Sequence, residues 1–192
     1  MCKKYAADAF IVASQNVLCK TRVQIAGHRG QFTHMAYAQE IEIPHLPEDT
    51  ESRVRAYYEV WQAAAKGGKV PDRKVLNGHV LAPWVDDICI YEYLPQKRDF
   101  IIRIDAPNII EASGEDYHGC SPRQIDLDFG TTLHATLLEV IDRGKPAFHR
   151  IGYERKVWEE WLRLLLPVRA TDRQGRLIEQ VFVTHFFYRG VS

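Results

Sequence analysis

Several features that identify protein classes are missing from this chain of 192 residues. No run of roughly 18 apolar residues occurs, so no transmembrane helix is expected. Neither sign of charge dominates, because Lys+Arg and Asp+Glu number 25 each. That balance argues against nucleic acid or a membrane surface as partner, since both select a basic face. Cysteine is sparse. Cys2, Cys19, Cys89 and Cys120 form no C-x-x-C pair and no zinc spacing. They read as scattered reduced thiols of a cytoplasmic protein. Met1-Cys2-Lys3-Lys4 followed by Ala6 to Ala13 has some signal-peptide character. Asp8 and Ser14-Gln15-Asn16 break that run, so the start reads as non-secretory. The G-x-S-x-G, H-E-x-x-H, P-loop and G-x-G-x-x-G patterns are absent, and the chain is expected not to be an enzyme.

What is present is the balance of a globular domain, 46% apolar and 26% charged. The length suits one domain plus an extension. Residues 1–50 are patchy in apolar pattern and interrupted by His28-Arg29-Gly30 and Pro44-His45-Leu46-Pro47. A poorly ordered or loosely attached extension is expected there. Asp49 to Ser52 then offer helix N-caps. Val54, Tyr57, Tyr58, Trp61 and Ala65 recur at helical spacing, and Gly67-Gly68 ends the helix. Residues 87–94 and 100–105 read as a hairpin, with Phe100, Ile102 and Ile104 on one face. Pro107 to Cys120 holds short helical turns, and Thr131 to Arg143 a longer helix. Asp126 and Asp128 read as a turn and a helix cap. Three strands follow, over 147–153, 158–169 and 179–189.

The last strand is apolar on both faces, with Val181, Val183 and His185 on one and Phe182, Thr184 and Phe186 on the other. A face turned to water would alternate with polar residues. The helix around Trp61, or a second copy of the chain, is therefore expected to cover the second face. Tyr57, Trp61, Phe182 and Phe186 are the candidate interface residues. The expected fold is α+β, a five-stranded antiparallel sheet with short helices on one face and the N-terminal helix flanking the other.

That order, and several motifs along residues 51–190, resemble a bacterial single-domain PAS family common in alphaproteobacteria. The opening Tyr57-Tyr58-Glu59-Val60-Trp61 leads to Gly67-Gly68-Lys69-Val70-Pro71-Asp72-Arg73, and Leu81-Ala82-Pro83-Trp84 enters the first strand. Phe100-Ile101-Ile102-Arg103-Ile104, the turn from Gly114 to Gly119, and Val140 to Pro146 fit the later motifs. Leu165-Leu166-Pro167-Val168 fits the penultimate strand. Asp105-Ala106-Pro107-Asn108 departs from the family's more usual Gly-Thr-like step. The resemblance implies a sensor for signal transduction, working through ligand binding or protein interaction. Some such domains hold haem, flavin or a small metabolite.

Candidate ligand-binding residues are Ile104, Tyr117, His134, Leu137 and Ile141. His134 falls on the longer helix, where haem-binding PAS domains place their axial histidine, so haem through His134 is a cofactor option. A flavin photosensor is not expected, because Gly119-Cys120-Ser121 lacks the reactive-cysteine pattern. His118, His149 and His185 are further hydrogen-bonding candidates, with an ordinary core role the plainer account of His185. The partner is an unidentified signalling protein or a second copy, forming a homodimer. Two alternatives stand beside the sensor. One is a ligand-free protein-interaction adaptor. The other is a small α+β enzyme of the ketosteroid-isomerase type, which a deep pocket holding His185 or Asp105 would favour.

Overall fold

Strand residues alternate between two faces, and that period assigns each apolar side chain to one of two layers. A computed structural model, which describes residues 39–154 and 158–188, folds them as α+β around a six-stranded sheet. The strands are β1 (Gln39–Ile43), β2 (Ile88–Leu94), β3 (Asp99–Ile104), β4 (Ala147–Glu154), β5 (Trp158–Thr171) and β6 (Leu177–Phe187). They lie in the order β1-β4-β5-β6-β2-β3, and every neighbouring pair is antiparallel. The two expected strand groups join through β6 and β2.

The expected count of five strands is corrected to six. The added strand, Gln39–Ile43, falls within the segment read as a loose extension and pairs along its whole length with β4. Without it β4 would be an open edge with unpaired backbone groups. The part of that extension before residue 39 lies outside the described residues.

The helices are α1 (Ser52–Ala64), α2 (Pro107–Ser113), α3 (Pro122–Phe129) and α4 (Leu133–Arg143). On one face of the sheet, Val54, Tyr57 and Trp61 of α1 pack with Leu162, Leu164, Phe182 and Phe186. On the other, Leu133, Leu137 and Val140 of α4 pack with Leu165, Val181 and Val183. Both faces of β6 are thus covered within one chain. Tyr57, Trp61, Phe182 and Phe186 are each 7% exposed or less. They present no free surface, so their expected role at a partner interface gives way to packing within the chain. The reason is that α1 itself supplies the cover.

Polar contacts fix α1 in place. Trp61 Nε1 donates to the Pro167 carbonyl at 2.9 Å, and Trp84 Nε1 donates to the Arg53 carbonyl at 2.9 Å. Asp87 receives Arg53 at 2.5 Å and Asn108 Nδ2 at 2.7 Å, which links α1 to α2. The expected side-chain cap on α1 is not made; Asp49 instead accepts the Tyr188 hydroxyl at 2.6 Å. Pro167 is tolerated in β5 because pairing with β4 reaches only to Leu165, so its missing N–H costs no ladder bond on that side.

Between the short turns and the longer helix the chain forms α3, which the periodicity did not predict. Ser121 caps it by accepting the Arg123 N–H at 3.2 Å, and Pro122 occupies the first turn. Asp126 within α3 caps the next helix, accepting the N–H groups of Leu133 at 2.7 Å and His134 at 2.9 Å. Its expected capping role is therefore met, across a helix–helix contact. Cys89 is a free, buried thiol, whereas Cys120 is disulfide-bonded, against the expectation of four reduced thiols.

Trp61→Ala should remove the main anchor of α1 and cost about 3–5 kcal/mol in urea denaturation. A loss under about 1 kcal/mol would contradict the packing of this helix on the sheet.

Candidate functional site

The register places four side chains in one row across the sheet. Glu42 stands opposite His149, His149 opposite Arg163, and Arg163 opposite His185. Directly paired residues share a face, and Val183, two residues before His185, packs in the layer with α4. The row therefore lies beneath the α2–α4 layer. Arg163 is 1% exposed, and a charge so buried needs an opposite charge and hydrogen bonds.

Glu40, two residues before Glu42 and on the same face, meets that need. Its Oε1 pairs with Arg163 Nη2 and accepts a hydrogen bond from His149 Nδ1 at 2.5 Å. Its Oε2 accepts the Thr132 N–H at 3.0 Å, just ahead of α4. Burial pushes the Glu40 carboxyl up, but the His149 hydrogen bond and the Arg163 charge outweigh it and hold the group at about 2. Burial first, then the Arg163 charge, push the His185 imidazole down to about 3, so it is neutral at pH 7. Arg163 Nε and His185 Nδ1 have no hydrogen-bond partner among the described residues.

Beside this row is a cavity of about 70 Å³. Its sheet side is formed by Tyr91, Trp161, Arg163 and His185, and Asp105, just after β3, also lines it. Its helical side is apolar apart from Ser113 and Thr131, with Ile109 from α2, Phe129 from α3 and Leu133 from α4. A single water needs about 10–15 Å³, so the space takes several waters or a small molecule. Burial raises the Asp105 carboxyl, against hydrogen bonds from the Tyr117 N–H at 2.8 Å and the Cys89 thiol at 3.3 Å. Burial also raises the Tyr91 phenol well above its usual range, which keeps it a donor.

The structure separates the expected ligand-binding residues. Tyr117 lines the cavity, with its hydroxyl donating to Asp128 at 2.8 Å. Ile104 does not; it is 43% exposed. The cause is an irregularity in the β2–β3 register, where Ile102 opposes Tyr91 but Ile104 opposes Ile90. The extra residue, Arg103, is a β-bulge that reverses the alternation and turns Asp105 inward in place of Ile104. Leu137 and Ile141 belong to the apolar layer of α4 and do not line the cavity.

His134 does not line it either. Its Nε2 lies 3.2 Å from Asp99 Oδ1, and its ring meets the edge of Phe100. A haem ligand must present that nitrogen to a space able to enclose the macrocycle. Pockets enclosing drug-sized ligands run to about 300–1,000 Å³. The haem option does not fit these residues. Among the described residues, no group of three or more His, Cys, Asp or Glu side chains is placed to hold a metal ion.

Arg163, Glu40, Tyr91 and Trp161 are the site residues that the sequence reading missed. A single charge inside Leu162-Arg163-Leu164-Leu165-Leu166 was the available signal for a buried ion. The alternation of Glu40-Ile41-Glu42-Ile43 was the signal for its partner strand. No protein-family model, curated protein or solved structure matches the chain. No helix among the described residues is long and apolar enough to cross a membrane.

Acid should weaken the fold through this row. His185 falls from its ordinary 6.5 to about 3 on folding, so its contribution is full above pH 6.5 and is lost as pH falls toward 3. Glu40 falls from 4.5 to about 2, so its contribution is full above pH 4.5 and is lost toward pH 2. Asp105 is raised and runs the opposite way. Urea denaturation across the acid range should show a steeper loss between pH 6.5 and 3 in the wild type than in His185→Gln. Parallel curves would contradict the burial of a neutral His185.

Proposed function

We propose that this protein is a PAS-like sensory module of bacterial type that takes a small ligand into the cavity between the sheet and the α2–α4 layer. One observation carries the reading. A fully buried guanidinium and a neutral imidazole, each with a nitrogen lacking a partner, stand in the wall of an apolar-roofed cavity. A few polar side chains in the wall of an otherwise apolar cavity are the usual make-up of a small-molecule site. The element order supports the PAS part of the reading: two strands, helical turns, a longer helix, then three strands.

The route outward runs through Glu40. The carboxylate ties β1 to Arg163, His149 and the backbone ahead of α4. A ligand contacting Arg163 bears directly on the ion pair that holds this edge strand. It would shift the state of β1 only as far as its affinity differs between the two states. The ligand-free adaptor drew its motive from an uncovered aromatic face, and α1 covers that face.

A second reading keeps one specific observation. Asp105 and His185 line the same cavity, with the carboxyl raised and the imidazole lowered. Opposed shifts of this kind suit proton transfer in a small ketosteroid-isomerase-type enzyme. Against it, both Asp105 oxygens already accept hydrogen bonds within the chain. Conversion of a ligand on mixing with the protein, lost in Asp105→Asn, would favour this second reading.

Native and denaturing mass spectra of the full chain as purified test the first reading. A small-molecule adduct is expected in the native spectrum of the wild type and absent from Ala112→Phe, which puts bulk at the cavity wall. A wild type with no adduct, and with no thermal stabilisation by any member of a fragment library, would contradict it.

A further inference from the structure

The cavity's charge is already balanced before any ligand enters, and that constrains what the ligand is. Arg163 is the cation of the wall, and Glu40 is its counter-ion, from a strand on the opposite side of β4. His185 is held neutral by burial beside that cation. Asp105 also lines the cavity, and each of its oxygens accepts a hydrogen bond within the chain. An anionic ligand would enter beside Glu40 and Asp105 with no uncompensated cation to meet. A cationic one would lie against the Arg163 guanidinium. Either adds an unpaired charge to a buried site, which is costly.

The polar inventory of the wall then sets the ligand's own polar end. Arg163 has only N–H groups and Tyr91 keeps its O–H, so both donate. Beside these two the complementary group on the ligand is an acceptor, while the His185 imidazole and the Ser113 and Thr131 hydroxyls can take either role. Size follows from the volume. A cavity of about 150 Å³ takes benzene, so 70 Å³, less than half of that, encloses about two or three heavy atoms, and the rest of a larger molecule lies at the mouth.

Resting on the reading of this cavity as a ligand site, we infer that it takes a small uncharged molecule with an apolar body and a hydrogen-bond acceptor at its buried end, as in an alcohol or a ketone. Glu40 sets this preference by neutralising Arg163 from within the protein.

Three probes of one shape separate the possibilities: isobutanol, isobutyrate and isobutylamine, titrated into the full chain and followed by two-dimensional amide NMR. Isobutanol is expected to bind at least about tenfold tighter than either charged probe, with shifts at Tyr91, Asp105, Ser113 and Arg163. In Glu40→Gln the guanidinium loses its internal counter-ion, and the affinity for isobutyrate should rise about tenfold or more while that for isobutanol changes less. Isobutyrate or isobutylamine binding the wild type as tightly as isobutanol would overturn the ligand class and leave the cavity as a binding site. Cavity residues unmoved by all three probes would overturn the site itself. Should Glu40→Gln fail to fold, the wild-type ranking alone still decides between these results.

Discussion

A guanidinium buried to 1% exposure inside a β-sheet must have its counter-ion brought to it. Much of this structure can be derived from that constraint. Arg163 lies on β5, and the carboxylate that neutralises it is Glu40, 123 residues earlier in the chain. The delivery requires β1 to pair with β4 in a register that puts Glu40 on the inner face. His149 on the strand between them closes the triangle, 3.1 Å from Arg163 Nη2. An ion pair this deep is weak evidence for net stability, because desolvation offsets its attraction. What it fixes is geometry: the place of the sixth strand, its register, and the electrostatic neutrality of the cavity wall.

The second constraint is the sheet's two apolar faces. β6 carries Val181 and Val183 toward α4 and Phe182 and Phe186 toward α1. Each layer is closed by polar contacts at its margins as well as by packing. Asp126 caps α4 from α3, and Trp61 reaches the Pro167 carbonyl from α1. Within the α2–α4 layer a space remains next to the charged row, lined by Arg163 and His185 on its sheet side.

Much of this was legible along the chain. The two faces of β5 and β6 follow from period two, and the stripe Val54-Tyr57-Trp61 predicts a helix that must cover one of them. The Asp126 cap was legible in kind. Other features were not, each for a physical reason. β1 is five residues long with alternating glutamates, too short and polar to stand out as a strand without its partner. The bulge at Arg103 leaves no mark in composition, yet it exchanges Ile104 for Asp105 in the cavity. His134 sits at a helical position that suits a ligand, but its imidazole lies beside Asp99 and Phe100 and outside the cavity lining. Arg163 was visible as a lone charge among leucines. The identity of its partner is set by long-range pairing that no local pattern encodes.

The most direct measurement is a double-mutant cycle on Glu40→Gln and Arg163→Gln, read by urea denaturation at neutral pH. If Glu40 is the counter-ion of the buried guanidinium, each single variant should cost about 3–5 kcal/mol by leaving a charge unpaired. The double variant should then recover part of that loss, giving a coupling above about 1 kcal/mol. Losses that simply add, with no coupling beyond about 0.3–0.5 kcal/mol, would contradict the ion pair on which this account of β1 and the cavity stands.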